Sequence, residues 1–239
     1  MLSIALAATG FTLQPQPQLR LARPPAAASC TMALPVDELP GLLVAASPAA
    51  NAVPAAFAAY GHYLALLLGT ASLTAERLTI KPAMSVQEEN VMAIADAVYG
   101  AAGLLLVVTG YLRVTQYGKG WEFYSHEPIF WLKLTLLSVA GAASFFPTIK
   151  IIQRSVAQRK AGPDAPIEPM SEKLAARMTS IINAELLAFG AIPLCATLMS
   201  RGVAYADWLP WQAGAAPVVL ALGGLGYKYV NEALTWEED

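Results

Sequence analysis

The chain of 239 residues is 56% hydrophobic and only 13% charged, with a mean hydropathy of +0.49. A soluble domain carries about 25% charged residues, so much of this surface does not face water. Fifteen Lys and Arg against seventeen Asp and Glu leave a formal net charge of -2, which excludes the basic excess expected of a nucleic-acid binder.

The two cysteines are Cys30, in an N-terminal leader, and Cys195, inside an apolar run. Neither a structural disulfide nor a Cys/His metal site fits that placement. Residues 1–52 read as a targeting leader. A short apolar segment, MLSIALAATGF, precedes a stretch with Arg20, Arg23, hydroxyls and prolines but no acidic residue, the composition of a transit peptide. After Asp37 and Glu38, LPGLLVAASPAANA forms an apolar core with a small-residue site at Ala50-Asn51-Ala52. Stacked signals of this kind point to a plastid, with the thylakoid membrane as the last stop. The alternative is an Ala/Pro-rich tail on a membrane protein elsewhere.

A bilayer span needs about 20 mostly apolar residues. The first, Ala55 to Ala75, carries His62 between Gly61 and Tyr63 and ends at Glu76-Arg77. The second, Val91 to Leu112, has Asp96 near its start and Arg113 at its close, with Gly100, Gly103 and Gly110 suited to close helix approach. A polar and aromatic hairpin holding Lys119, His126 and Glu127 follows. The third span starts at Pro128, a residue suited to the first helical turn, contains Lys133, and runs to about Lys150, with Pro147 expected to kink or finish it. Ile151 to Ser171 reads as the longest loop. Ser171 is the expected N-cap of a fourth helix, which contains Asn183, Glu185 and Pro193 and ends at Arg201-Gly202. A last span covers about Trp211 to Tyr229, before an acidic tail. The expected fold is therefore all-α: a polytopic membrane helix bundle of four spans (53–205) plus one extra C-terminal span (206–239).

Basic residues set the expected orientation. Arg77, Lys81, Lys150, Arg154, Arg159, Lys160, Lys173 and Arg177 fall on one side, and Arg113, Lys119 and Arg201 on the other. The first group should face the stroma, placing the mature N-terminus and the hairpin in the lumen and the C-terminus in the stroma. Polar residues then form two layers. His62 and Lys133 share a depth in the lumenal half, with Arg113, His126 and Arg201 nearer the surface. Glu76, Asp96 and Glu185 occupy the stromal half. A charge at mid-membrane costs about 2.5–3.5 kcal/mol, so such residues pair, line a pathway, or snorkel. Asp96 and Glu185 could bond each other, or pair with Arg77 or Lys150, as structural glue. Trp121, Trp131, Trp208 and Trp211 read as an interfacial aromatic belt.

An intramembrane imidazole is a good axial ligand for haem iron or chlorophyll magnesium. His62 is placed for that role, with Gly61 leaving room for a flat ring. The alternative is a histidine bonded to Tyr99, Tyr124 or a backbone carbonyl.

His62, Glu76, Asp96 with Tyr99-Gly100, TGYLRV (109–114), GKGWEFYSHEPIFWLKL (118–134), SFFPTIK (144–150), Glu185 and IPLCATLMSRG (192–202) together resemble a bacterial and plastid family of multi-spanning membrane proteins catalogued as a domain of unknown function. The likeness covers about residues 60–202. More distantly, His62 in the first helix and Trp131-Leu132-Lys133-Leu134 opening the third resemble the membrane-embedded, haem-associated protoporphyrinogen oxidase family. The FWLKL spacing differs from that family's pattern and a second helix histidine is lacking, so what this likeness implies is a tetrapyrrole pocket. Three functions fit. The first is tetrapyrrole binding (haem or chlorophyll), with His62 as metal ligand and Lys133, Arg113 and His126 around it. The second is a noncatalytic accessory or assembly subunit of a thylakoid complex, and the third is a proton or ion carrier using Glu76, Asp96 and Glu185. The bilayer is the expected partner in every case, and nucleic acid in none.

Overall fold

The computed structural model describes residues 48–162 and 168–237. Most of the leader, Cys30 and the last two residues of the acidic tail lie outside the described residues. Among those described, the chain is helical, and four helical stretches are long and apolar enough to cross a membrane: 51–79, 86–115, 128–161 and 172–200.

The first span lies in α1 (Pro48–Thr79) and the second is α2 (Val86–Thr115). Both outrun their apolar windows, because a helix continues to satisfy its own backbone beyond the hydrocarbon edge. Glu76 and Arg77 are therefore inside α1. The start of α2 is fixed by a capping box upstream of the expected Val91: the Ser85 hydroxyl accepts from the Glu88 amide at 3.3 Å, while a Glu88 oxygen accepts from the Ser85 amide at 2.9 Å. The buried face of α2 runs Met92, Ala95, Tyr99, Ala102, Leu106, Thr109. Spacings of three and four make this a helical stripe packed on α1.

The hairpin is ordered around a short helix, α3 (Trp121–Ser125). The third span is two helices, α4 (Pro128–Ala143) and α5 (Phe145–Ala161), joined at Ser144. Pro147 sits in the first turn of α5, where it lacks the amide that would bond the carbonyl four residues back. The expected interruption is there, but the helix does not finish; it continues to Ala161 and takes up half of the expected loop. The fourth span, α6 (Glu172–Ser200), begins at Ser171, whose hydroxyl accepts from the Leu174 amide at 3.1 Å. More of α6 is buried than of the other spans, and it packs on both α4 and α1.

The C-terminal stretch is one helical run: α7 (Trp211–Leu220), a π-helical turn over Ala221–Leu225, and α8 (Gly226–Leu234). Gly214 lies against Trp131 and Gly226 against Phe145. Sequence number rises together along both partners, so this helix runs parallel to the third span and extends from its hairpin end toward its far end. The return is pinned where the Ala206 amide donates to the His126 carbonyl at 3.0 Å.

Ion pairs gather at the end remote from the hairpin. Glu89, 6% exposed, is gripped by Arg154 through both carboxylate oxygens, and Arg177 binds Glu232 at 2.7 and 3.0 Å.

Candidate ligand site at the His62 end

Close contact between α1 and α2 sets the histidine. A side chain at Gly61 would stand 3.2 Å from the Thr109 methyl, and one at Gly110 would stand 3.2 Å from His62 Cε1. Gly61 therefore makes room for α2 and not for a flat ligand, which corrects the expectation. Gly100 and Gly103, expected to permit helix approach, face open space.

His62 Nδ1 lies 3.1 Å from Thr109 Oγ1. Neither Tyr99 nor Tyr124 is the partner, but the Leu106 backbone carbonyl, of the expected kind, also lies within bonding reach of the ring. The Thr109 hydroxyl donates its one proton to the Leu105 carbonyl at 2.6 Å, with the Leu106 carbonyl at 3.3 Å, so toward His62 it can only accept. The arrangement that satisfies both bonds places the imidazole proton on Nδ1 and leaves Nε2 with its lone pair.

His62 lies between two adjoining cavities. The larger, about 410 Å³, is bounded by His62, Arg113, Lys119, Lys133 and Arg201 together with aromatic and aliphatic side chains from α2, α3, α4 and α6. Among the described residues, no Asp or Glu lines it. The second, about 290 Å³, shares His62, Leu106, Gly110, Val114, Phe130, Lys133 and Ile192 with the first. It continues along Val107, Tyr111, Trp121, Leu134 and Leu137, a nearly all-apolar wall between α2 and α4. His62 and Lys133 thus mark the junction of a cationic chamber and an apolar one. Arg113 stacks on Tyr63 at 5.2 Å and Lys119 sits 4.0 Å over the Phe123 ring. Among the described residues, Arg113, Lys119, Lys133 and Arg201 join no ion pair.

The expected site residues divide. His62, Lys133 and Arg113 share the chamber. His126 does not. It ends α3, its Nδ1 donates to the Glu122 carbonyl at 2.8 Å, and its ring lies beside Tyr205, so it fastens the loop. Trp131 leaves the proposed belt: it is 6% exposed, and its indole N–H donates to the Ser125 carbonyl at 2.9 Å. Trp208, Trp211 and Trp121 are exposed. Thr109, which sets the tautomer, was missed, although its place on the α2 stripe and its spacing from Leu105 were readable. Glu127 was named without a role. It is fully buried with neither carboxylate oxygen bonded, and burial pushes its pKa up while Lys119 pulls it down.

Glu76, Asp96 and Glu185 are brought together in the other half, close enough to act on one another electrostatically. The expected pairings change. Asp96 accepts from the Thr148 hydroxyl at 2.6 Å, and Arg77 donates to Asn183 at 2.8 Å.

An all-α polytopic bundle with a cationic chamber opening onto an apolar one is the class of protein that this fold and site define. The chain belongs to the DUF2214 family of predicted membrane proteins, whose pattern matches residues 54–204. Comparison with curated proteins gave no match, and comparison with solved structures gave none either.

Proposed function

We propose that the protein binds a tetrapyrrole carrying acidic side groups at the His62 end, as an integral membrane protein of thylakoid type. The observation that carries the reading is the His62 tautomer. Thr109 holds the imidazole proton on Nδ1, which leaves Nε2 as an electron-pair donor on a ring that lines both cavities. Four cations without a carboxylate among the lining residues favour an anionic group. The apolar chamber beside them favours a flat hydrophobic body. Lys133 and Arg113 would hold the acidic groups, with Lys119 and Arg201 at the outer wall, while His62 would ligate the central metal. A bound tetrapyrrole supplies light absorption or electron transfer according to its metal; these residues orient it and balance its charge.

The thylakoid assignment and the lumenal placement of the hairpin rest on the composition of the leader and on the surplus of basic residues at the opposite end. The test is an absorption spectrum of the protein purified in mild detergent, with pigment extraction. A Soret band that shifts or disappears in His62→Ala is expected. No Soret band, or one unchanged in His62→Ala, removes the proposal.

A further inference from the structure

Each of the four spans contributes a polar group to one cluster in the half of the bundle remote from the cationic chamber. These are Glu76 from α1, Asp96 from α2, Thr148 from α5 and Glu185 from α6. Glu76 and Glu185 are each 1% exposed. One oxygen of Glu76 and both oxygens of Glu185 are buried without a hydrogen-bond partner. Tyr99, packed against Phe189 at 5.9 Å, lies within electrostatic reach of all three carboxyls. Neighbouring cations do not balance the group. Arg77, one residue from Glu76, bonds Asn183, Arg154 is bound to Glu89, and Arg177 to Glu232.

Two carboxylates in a hydrocarbon interior, with no donor and no counter-ion, are not a stable arrangement. Something positive must join them. Among the described residues, no group of three or more His, Cys, Asp or Glu side chains is arranged to hold a metal ion. A proton meets the need with the atoms present. A neutral carboxyl carries no charge to balance and gains an O–H donor for an acceptor within reach. Asp96, half-buried and held by Thr148, lies on the exposed flank of the group.

We propose that Glu76 and Glu185 form a proton-binding site inside the bundle, with Asp96 as the group through which it exchanges with the surface. The site is separate from the His62 chamber and does not depend on what that chamber binds.

Infrared spectroscopy of the full chain reconstituted in liposomes at neutral pH tests this directly. A protonated-carboxyl stretch that moves on transfer to D2O is expected in E127Q, a background that removes the buried carboxyl at the other end of the bundle, and should be absent once E76Q/E185Q is added at an unchanged unfolding temperature. The single variants E76Q and E185Q should each lose part of the band, so the test survives if the double variant does not fold. An E127Q background with no exchangeable carboxyl band, or one whose band persists when E76Q/E185Q is added, overturns the proposal.

Discussion

Gly214→Ala tests how the C-terminal helix docks on the third span. A β-carbon at this position would stand 2.2 to 2.4 Å from Cδ1, Cγ and Nε1 of the Trp131 indole, so one of the two helices must move. Trp131 has little freedom. It is 6% exposed, its N–H is bonded to Ser125, and its ring meets Trp121 edge-on at 5.9 Å. Overpacking of this kind costs about 1–3 kcal/mol. Loss of the indole hydrogen bond adds about 1 kcal/mol, and the better helix propensity of alanine returns about 1 kcal/mol. The net expectation is a destabilisation of about 1–3 kcal/mol. Thermal unfolding in detergent, followed by tryptophan fluorescence, should show a lower midpoint and an indole spectrum altered in the folded state. Gly100→Ala is the control. Nothing lies within 4 Å of the added carbon there, so only the propensity gain remains. If Gly214→Ala unfolds at or above the midpoint of Gly100→Ala with unchanged fluorescence, the docking described for this helix is wrong.

Thr109→Val keeps the shape of the side chain but removes the oxygen that accepts from His62. Second-shell losses at metal-binding histidines typically cost about 10–100-fold in affinity, so haem titrated into the variant should bind that much more weakly; equal affinity would remove the tautomer argument. Glu89→Gln breaks the buried pair with Arg154 and should cost about 3–5 kcal/mol in chemical denaturation, whereas a loss under about 1 kcal/mol would mean the pair is already solvated. Burial raises the Glu127 carboxyl above its unfolded value, against the pull of Lys119. The folded chain therefore holds this proton more tightly than the unfolded one. Its contribution is fully present below the unfolded carboxylate range and is lost as pH rises through the raised folded value. Denaturation across about pH 4 to 8 should show that fall in the wild type and a flatter profile in Glu127→Gln; parallel profiles would refute it.

The spans were legible because hydrocarbon imposes a length and composition that few soluble segments share. Their ends were less so. Apolar windows locate the hydrocarbon, whereas capping chemistry locates the helix, and Ser85 with Glu88 starts α2 before its apolar run begins. The meeting of His62, Lys133 and Arg113 followed from counting rise along helices of known direction. Their neighbours did not follow, because depth says nothing about rotation. His126 has the right depth and points into its own loop, while Gly61 faces a helix and not a chamber.

Rotation was partly available from the stripes. On α6 the buried positions run Met178, Ile181, Ile182, Glu185, Ala188, Phe189, Ile192, so Glu185 occupies a place where helical periodicity calls for an apolar residue. On α1, Ala58, Ala65, Ser72, Leu73 and Glu76 follow the same rule. An acid on the stripe must face other protein and is cut off from the aqueous rim that an off-stripe acid could reach by snorkelling. Arg113 and Lys119 show the contrary case at the other end, where the charged groups sit over the Tyr63 and Phe123 rings and line the chamber. The difference between the two ends is therefore one of accessibility as well as sign. The cationic end is open enough to admit a ligand of some size. The acidic group is closed to anything larger than a proton, and for that reason the two halves of the bundle call for separate experiments.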